Sequence, residues 1–236
     1  MERIELLSSG ISKDVWSCPD PDSTILVFKD TASAFWGIKR ALIAGKGELN
    51  NRISAALFTL LEKEGIRTHF IKAIDANSQF CKKVDVLPIR AIVRNVATGS
   101  IVQRIGIAKG HRFNPTVIEF NIKNSTLDDP FVTPEEIVAL GICSESEIIQ
   151  IRELALRVNA ILKAKFAEAE IDLVDLKLEF GKDGEGETVL ADELTPDTFR
   201  LWDKVTGESL DKDRFRLDMG EITWAYQQVL QRISSL

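Results

Sequence analysis

Histidine and cysteine are scarce in this chain of 236 residues. His69 and His111 are the only histidines, which excludes a multi-histidine metal site and leaves two candidates for the base of a Ser-His-Asp triad. The three cysteines, Cys18, Cys81 and Cys143, are odd in number, lie far apart and form no CxxC pair. We therefore expect neither a disulfide framework nor a zinc site, and the pattern suits a reducing compartment.

Long hydrophobic runs are also missing. No stretch approaches the roughly 18 uncharged residues that a membrane span needs. Residues 1–5 are charged, and no apolar core of a signal peptide follows them. The chain has only 14 glycines and 7 prolines, so its composition excludes collagen-like and disordered classes. The sequence predicts a globular, cytoplasmic protein with no membrane partner.

The charge is acidic overall but unevenly distributed. The net charge of −6 argues against a nucleic-acid partner. Residues 1–118 carry 17 basic and 11 acidic side chains, whereas residues 119–236 carry 13 basic and 25 acidic ones. This asymmetry suits a cleft that binds phosphates on one wall and divalent cations on the other. Chance and solvated helix faces explain it equally well.

The first 120 residues predict strands around one helix. Apolar residues from Asn50 to Glu64 recur at helical spacing, and Gly65 is placed to end that helix. Short β-rich runs predict strands at 23–28, 66–74 and 78–86 and around 91–93.

The second half opens with two helix-start signals. Thr133 with Glu136 and Ser144 with Glu147 each form a capping box, and the second begins a long helix that we expect to reach about Glu170. After Asp211, apolar residues at spacings of three and four, from Phe215 through Met219 to Ile233, predict one last helix.

The segment 173–181 alternates strictly between apolar and charged residues. Asp175, Lys177 and Glu179 fall on one face of the predicted strand, and the face is either the solvated outside of a sheet or the lining of a cleft. A turn at 182–187 makes the next strand its hairpin partner. One register places Asp192 beside Glu179, and a one-residue slip places Glu193 there instead. Paired carboxylates beside a lysine are hard-oxygen ligands suited to Mg²⁺ that carries phosphates.

Three further segments contain groups that bind anions. The small-residue turn 8–15 offers backbone N–H groups and Lys13, although it does not match a P-loop. Residues 94–100 join Arg94 to a Gly-Ser turn, and Arg200 follows the acidic hairpin. Taken singly, each is as easily a surface turn as a phosphate site.

Together these segments form a longer pattern. Five motifs occur in order: GKGELNN at 45–51, VRNVATGS at 93–100, VDLKLEFG at 174–181, DELTPDTFRLWD at 192–203 and LDKDRFR at 210–216. This series resembles the SAICAR synthetase (phosphoribosylaminoimidazole-succinocarboxamide synthase) family over nearly the whole chain, in its short bacterial form.

The resemblance implies an activity and an architecture. The reaction is the ATP-dependent joining of 5-aminoimidazole-4-carboxylate ribonucleotide (CAIR) to L-aspartate, which gives SAICAR, ADP and phosphate through an acyl phosphate. The implied fold is mixed α/β (α+β). A β-rich nucleotide-binding part, 1–88, resembles the kinase small lobe, and a larger part, 89–236, binds substrate and metal, with ATP between them. Mg²⁺ is the implied cofactor, and the expected partners are ATP, CAIR and aspartate in a homo-oligomer.

The resemblance also assigns roles to individual residues. The implied catalytic residues are Lys13, Asp129 and Lys177; the nucleotide-binding residues are Gly10, Ser12, Lys13, Lys82 and Val86; the ribonucleotide-binding residues are Arg94, Ser100, Arg200 and Arg216; and the Mg²⁺ ligands are Glu179 and Asp192.

Three positions depart from the family pattern. Ile11 replaces a lysine of the glycine-rich turn, Trp36 an Asp or Asn of a lid segment, and Ser125 a common Asp. Two other functions remain open on the residues alone. A small-molecule kinase would not need the arginine group, and an RNA-binding module would be indifferent to Glu179 and Asp192.

Overall fold

The computed structural model describes residues 1–234, apart from the side chain of Trp36. The strands are β1 (Leu6–Ser9), β2 (Lys13–Ser17), β3 (Ser23–Phe28), β4 (Thr31–Ala34), β5 (Lys39–Leu42), β6 (Phe70–Ala73), β7 (Ser78–Lys82), β8 (Asp85–Val96), β9 (Arg112–Ile122), β10 (Phe131–Val132), β11 (Ile171–Lys182), β12 (Thr188–Ala191) and β13 (Phe199–Asp203). The helices are α1 (Lys46–Lys63), α2 (Ser100–Ile105), α3 (Pro134–Ala139), α4 (Glu145–Glu168), α5 (Asp213–Arg216) and α6 (Ile222–Ile233). The predicted α/β (α+β) class is confirmed.

Five antiparallel strands form the smaller sheet, in the order β1-β2-β3-β7-β6. The strand predicted at 23–28 is confirmed residue for residue. The strand predicted at 78–86 is two strands, because the chain leaves the smaller sheet after Lys82 and enters the larger one at Asp85. This passage lies shortly before the boundary predicted at residue 88. The β4–β5 hairpin forms a separate two-stranded sheet.

The larger sheet is built around β11. Strand β8 pairs with one edge of β11, while β13 and β12 pair with the first and second halves of its other edge. Strands β9 and β10 extend the sheet beyond β8. The side of β11 that carries Leu176 and Leu178 is fully buried, and helix α4 packs against β11 and β8.

Helix α1 begins earlier than its apolar pattern indicates. It starts at Lys46, because Gly45 adopts a left-handed backbone with φ of 80° and caps the helix. Lys46 is then fully buried, an environment that apolar spacing does not indicate. The helix contacts β3, β6 and β7 of the smaller sheet and also α4 and α6, so it joins the two sheets.

Both capping boxes are confirmed, at Thr133 and Ser144. The single last helix predicted after Asp211 is wrong. It is broken into α5 and α6, because Asp218, Gly220 and Glu221 all have positive φ. Met219, which the periodicity predicts to be core, is 43% exposed.

The three cysteines are free thiols and all are buried, as the absence of a disulfide framework requires. Within residues 1–234, no helix is long and apolar enough to cross a membrane.

Candidate active site

The polar face of β11 forms the floor of the site. Asp175 is 3% exposed and Glu179 is 8% exposed, whereas Lys177 between them is open to solvent. A solvated outer face would leave all three accessible, so the structure favours the cleft interpretation of this strand. Buried carboxylates need cationic partners, and each of these two has them.

Asp175 is the centre of an arginine network. Its Oδ2 lies 2.8 Å from Nη1 of Arg200 and 3.5 Å from Nη1 of Arg94. Arg94 Nη2 donates to Ser100 Oγ at 3.1 Å, which brings Ser100 into the same group.

Asp213 extends the network to the fourth predicted residue. It accepts from Arg200 Nε at 2.9 Å and from Arg216 Nη1 at 2.5 Å. The four residues assigned to the ribonucleotide therefore lie together, connected by two carboxylates. Gly99 allows this approach, since a Cβ there would lie only 2.9 Å from Arg200 Nη2.

Burial alone would lower the pKa of Arg200, but Asp175 and Asp213 raise it above its ordinary value. The guanidinium is therefore charged at all working pH values. Its Nε and Nη1 are both engaged, so its direction is set before any substrate arrives.

The sequence assigned no binding or catalytic role to three acidic members of this group, although it placed Asp175 on the charged face of its strand. Asp175 and Asp213 join the arginines, and Glu119 accepts from Arg94 Nε at 2.9 Å and from Arg104. The i,i+3 spacing of Asp213 and Arg216 on α5 was one available signal. Glu119 had no local signal, because its partners come from another strand and from helix α2.

Lys177 points into the cleft without a partner for its amine. Among residues 1–234 its Nζ makes no hydrogen bond or ion pair. Loss of hydration around the amine is the largest of the causes that lower the pKa of Lys177 to about 8. The positive charges of Arg216, Arg90 and Arg200 are the further causes of this lowering. The amine is thus a cation held close to other cations, a position that an anionic ligand would relieve.

Glu179 lies at the other end of the floor. It accepts from Arg90 Nε at 2.7 Å and from Lys123. Arg90 also donates to Asp129 Oδ2 at 2.5 Å, so Asp129 joins the floor through Arg90. Burial would raise the pKa of Glu179, but Lys123 and Arg90 lower it, and the carboxylate is ionised.

The turn between β1 and β2 faces Asp192 and Glu193, the two acidic residues that follow β12. Lys13 Nζ lies 2.8 Å from Asp192 Oδ1 and 2.7 Å from Glu193 Oε1, and Ser12 Oγ donates to the same Glu193 oxygen at 2.8 Å. Burial would lower the pKa of Lys13, but the two carboxylates raise it above its ordinary value. Gly10 closes the turn by donating its N–H to the Lys13 carbonyl at 2.8 Å.

The hairpin register follows the second sequence alternative, the one that puts Glu193 on the Glu179 face, but the strand stops short of that residue. Ala191 lies opposite Glu179, and β12 ends there. Asp192 then adopts a left-handed backbone with φ of 69°, which breaks the strand alternation. As a result both Asp192 and Glu193 contact Lys13.

His69 packs against the residues that follow β12, with its Nε2 3.1 Å from the Asp192 carbonyl oxygen. Burial lowers the pKa of His69 to about 4, so its imidazole is neutral near pH 7.

The acidic groups suit Mg²⁺ by their chemistry. Glu179, Asp192 and Glu193 offer only carboxylate oxygens, the donors that Mg²⁺ prefers, so the donor set fits. Each of these carboxylates is paired with a cation. In the described part of the chain, no three acidic, His or Cys side chains are already grouped as metal ligands.

Lys82 and Val86 flank the connector between the two sheets. Both side chains are exposed. Val86 lies opposite Gly181 in the β8–β11 pair, where a Cβ on Gly181 would come within 3.1 Å of the Asp85 carbonyl oxygen. The connector therefore lies closely against the end of β11.

The three departures lie in three different turns. Ile11 is an exposed residue of the Lys13 turn, and Ser125 begins a short 3-10 turn, Ser125–Leu127. Trp36 belongs to the 3-10 turn Phe35–Gly37 at the tip of the β4–β5 hairpin, and its side chain lies outside the described part.

Comparison with known proteins decides the family. The SAICAR synthetase family model matches residues 6–233. The chain belongs to the SAICAR synthetase family. It is 46% identical over 234 residues to a phosphoribosylaminoimidazole-succinocarboxamide synthase of Clostridium botulinum, covering 99% of this chain and 100% of that one. A synthase of the same name from Persephonella marina is 46% identical, with 99% and 98% covered.

Solved SAICAR synthetases share the whole fold. The crystal structure of the Ehrlichia chaffeensis synthase superposes with a TM-score of 0.96 at 40% identity, covering 98% of this chain and 99% of that one. A SAICAR synthetase in complex with ADP superposes with a TM-score of 0.94 at 44% identity, covering 98% of both chains. The resemblance drawn from the five motifs is thus confirmed.

Proposed function

We propose that the cleft above β11 carries out the family reaction, and we assign its residues to the three substrates. The chain is an ATP-dependent ligase of purine biosynthesis that joins CAIR to L-aspartate and releases SAICAR, ADP and phosphate. The observation that carries the assignment is the position of Lys177, whose amine has no partner in the described part of the chain and lies between the arginine network and Glu179.

The chemistry requires activation of a carboxylate, because a carboxylate is a poor acyl donor. An oxygen of the CAIR carboxylate attacks the γ-phosphorus of ATP, ADP leaves, and an acyl phosphate forms. The aspartate amine then attacks the acyl carbon, the C–O bond to phosphate breaks, and the nitrogen loses a proton. Phosphoryl transfer needs mainly positioning and charge neutralisation, which suits a cleft lined with fixed cations.

Arg94, Ser100, Arg200 and Arg216 bind the ribonucleotide in this proposal. Guanidinium groups that are already oriented by Asp175 and Asp213 can bind a phosphomonoester without a large loss of side-chain entropy. Lys177 lies beside them and neutralises charge on the carboxylate as it is phosphorylated. Asp129 orients Arg90 at the other end of the floor.

The Lys13 turn and the connector bind ATP. Gly10 and Ser12 let the backbone approach the triphosphate, and Lys13 supplies positive charge. Lys82 and Val86 contact the adenine. The similarity to a synthetase solved in complex with ADP supports a nucleotide as a ligand of this chain.

Glu179 and Asp192 would hold Mg²⁺, which supplies neutralising charge for the nucleotide phosphates when it is bound. Both carboxylates are ion-paired with lysine or arginine side chains, so Mg²⁺ binding would exchange one cation for another.

We also infer a homo-oligomer that acts in the cytoplasm on small molecules and without nucleic acid. The net charge of −6 supports the last point. Light scattering on the purified chain measures its oligomeric state, and a mass equal to one chain would contradict the proposed oligomer.

The proposed function is tested by ADP release from purified protein with Mg-ATP and CAIR, with and without L-aspartate. We expect release that requires aspartate, with SAICAR formed in step. Lys177→Met should abolish it, whereas Lys163→Met, on the exposed side of α4, should not. Release of ADP with phosphorylated CAIR as the end product would favour the kinase alternative. Unchanged turnover in Lys177→Met would contradict the role of this amine.

A further inference from the structure

Asp192 has a left-handed backbone conformation, which is uncommon for residues other than glycine although aspartate adopts it more readily than most. Its φ is 69°, in the left-handed region, and it follows directly on the last residue of β12. In a regular strand, consecutive residues point to opposite faces. The left-handed step at Asp192 is therefore what allows Asp192 and Glu193 to reach the same lysine, Lys13.

Residues 67–69 are hydrogen-bonded to β12 close to its end, next to Asp192. His69 N–H donates to the Leu190 carbonyl at 2.9 Å, and Leu190 N–H donates to the Arg67 carbonyl at 3.1 Å. The His69 ring then reaches past β12, with Nε2 3.1 Å from the Asp192 carbonyl oxygen. A carbonyl oxygen only accepts, so Nε2 carries the proton.

The His69 ring is itself fixed in place. The residue is 3% exposed, and its ring packs edge-on against Phe58 at a centroid distance of 5.2 Å. Its backbone carbonyl accepts from Lys82 N–H at 2.7 Å, which anchors it to the smaller sheet. The residue whose ring meets Asp192 is thus hydrogen-bonded to both sheets, to β7 through its carbonyl and to β12 through its N–H.

We propose that His69 is a positioning residue whose Nε2–H holds the Asp192 peptide in its left-handed conformation, so that two consecutive carboxylates face the phosphate side of the cleft. This inference rests on the proposed function, in which Asp192 is a Mg²⁺ ligand and Lys13 binds the triphosphate. His69 itself touches neither substrate nor metal. Its effect reaches the site through a single backbone carbonyl.

The test compares His69→Gln with His69→Met. The two side chains have nearly the same length and volume, but only glutamine has an N–H to donate. We measure Mg·ADP binding by calorimetry at varied Mg²⁺, without CAIR or aspartate. We expect His69→Met to raise the Mg²⁺ concentration needed for ADP binding by about tenfold or more, because metal affinity typically falls that far when a residue supporting a metal ligand is lost. His69→Gln should stay within about twofold, and ADP binding without Mg²⁺ should change little in either.

Thr68→Val is the matched control for a merely structural effect. Thr68 is buried beside His69, and its hydroxyl donates to Glu62 and accepts from Phe70 N–H, with no contact to Asp192. Thr68→Val should lower the melting temperature and leave the Mg²⁺ dependence unchanged. Equal Mg²⁺ shifts in His69→Met and His69→Gln, or no shift in His69→Met, would overturn the proposal.

A measurement on the unaltered protein covers the case in which His69→Met does not fold. Nitrogen-15 NMR of the histidine rings reports the tautomer, and we expect the Nε2–H form for His69. The Nδ1–H form would overturn the proposal. A protein that binds Mg·ADP as expected but shows no aspartate-dependent turnover would contradict the proposed function and leave the role of His69 standing.

Discussion

Lys46 and Asp197 form an ion pair that is closed off from solvent. Lys46 is 0% exposed and Asp197 3%. Asp197 also accepts from Asn50 Nδ2 at 3.0 Å and from the Tyr226 hydroxyl at 2.7 Å. The substitution Lys46→Met removes the cation at similar volume and leaves a buried carboxylate with two neutral donors. Removing one partner of such a pair costs about 3–5 kcal/mol, because the buried carboxylate loses the cation that is hydrogen-bonded to it.

The pH dependence of this loss is a second, independent signature. Burial would raise the pKa of Asp197, but Lys46 and Lys212 hold it well below its ordinary value. In the unaltered protein, Asp197 therefore contributes stability above its unfolded pKa of 3.8, and that stability is lost as the pH falls through the lower folded value. With Lys46 removed, burial should dominate and raise the folded pKa. The cost of Lys46→Met should then be greatest near pH 8 and smaller at pH 4.

Urea unfolding curves measure the free energy of unfolding at both pH values. The control is Arg52→Met in the exposed pair of Arg52 with Glu48, whose atoms lie 3.6 Å apart on the same helix. That pair should contribute no more than about 0.5 kcal/mol. A Lys46→Met loss as small as that of Arg52→Met, at an unchanged m-value, would refute the reasoning about burial. So would a loss that does not vary with pH.

Four other expectations follow from particular contacts. Glu179→Gln should fold normally and lower turnover about a hundredfold or more in coupled ADP assays, since it removes a proposed metal ligand; a lowered melting temperature with intact activity would assign Glu179 to structure. Arg200→Lys cannot keep both carboxylate contacts and should raise the KM for CAIR about tenfold while leaving the KM for ATP unchanged; equal changes in both would contradict a CAIR site. Ser144→Ala should cost about 1 kcal/mol in thermal unfolding, and no cost would mean that the cap is redundant. Hydrogen bonds from Lys182 and Ser144 lower the pKa of Glu147 to about 2, so stability should fall between pH 4.5 and 2, and Glu147→Gln should flatten that slope.

Features that depend on neighbouring residues were predictable from the sequence. The capping boxes at Thr133 and Ser144 and the alternation along 173–181 each involve groups within a few residues of one another. The four ribonucleotide residues came from family motifs, and the structure places them together through Asp175 and Asp213.

Features set by distant contacts were not predictable. The burial of Lys46 depends on Asp197, 151 residues away. The break between α5 and α6 depends on Arg214, whose guanidinium donates to the carbonyls of Met219 and Gly220 while the apolar periodicity runs on unbroken. The conformation of Asp192 depends on His69, which no local pattern connects to it.

The central position of β11 fixes the spacing of the charged residues on the floor of the cleft. Successive charges on one face of a strand are about 6.6–6.8 Å apart, because each residue rises about 3.3–3.4 Å. A slip by one residue would turn Leu176 and Leu178 towards solvent and break the pairing with β8, β12 and β13 together. The separations from Asp175 to Lys177 and from Lys177 to Glu179 therefore stay constant through a catalytic cycle. The charged side chains of the floor therefore project from a backbone that three strand pairings fix at once.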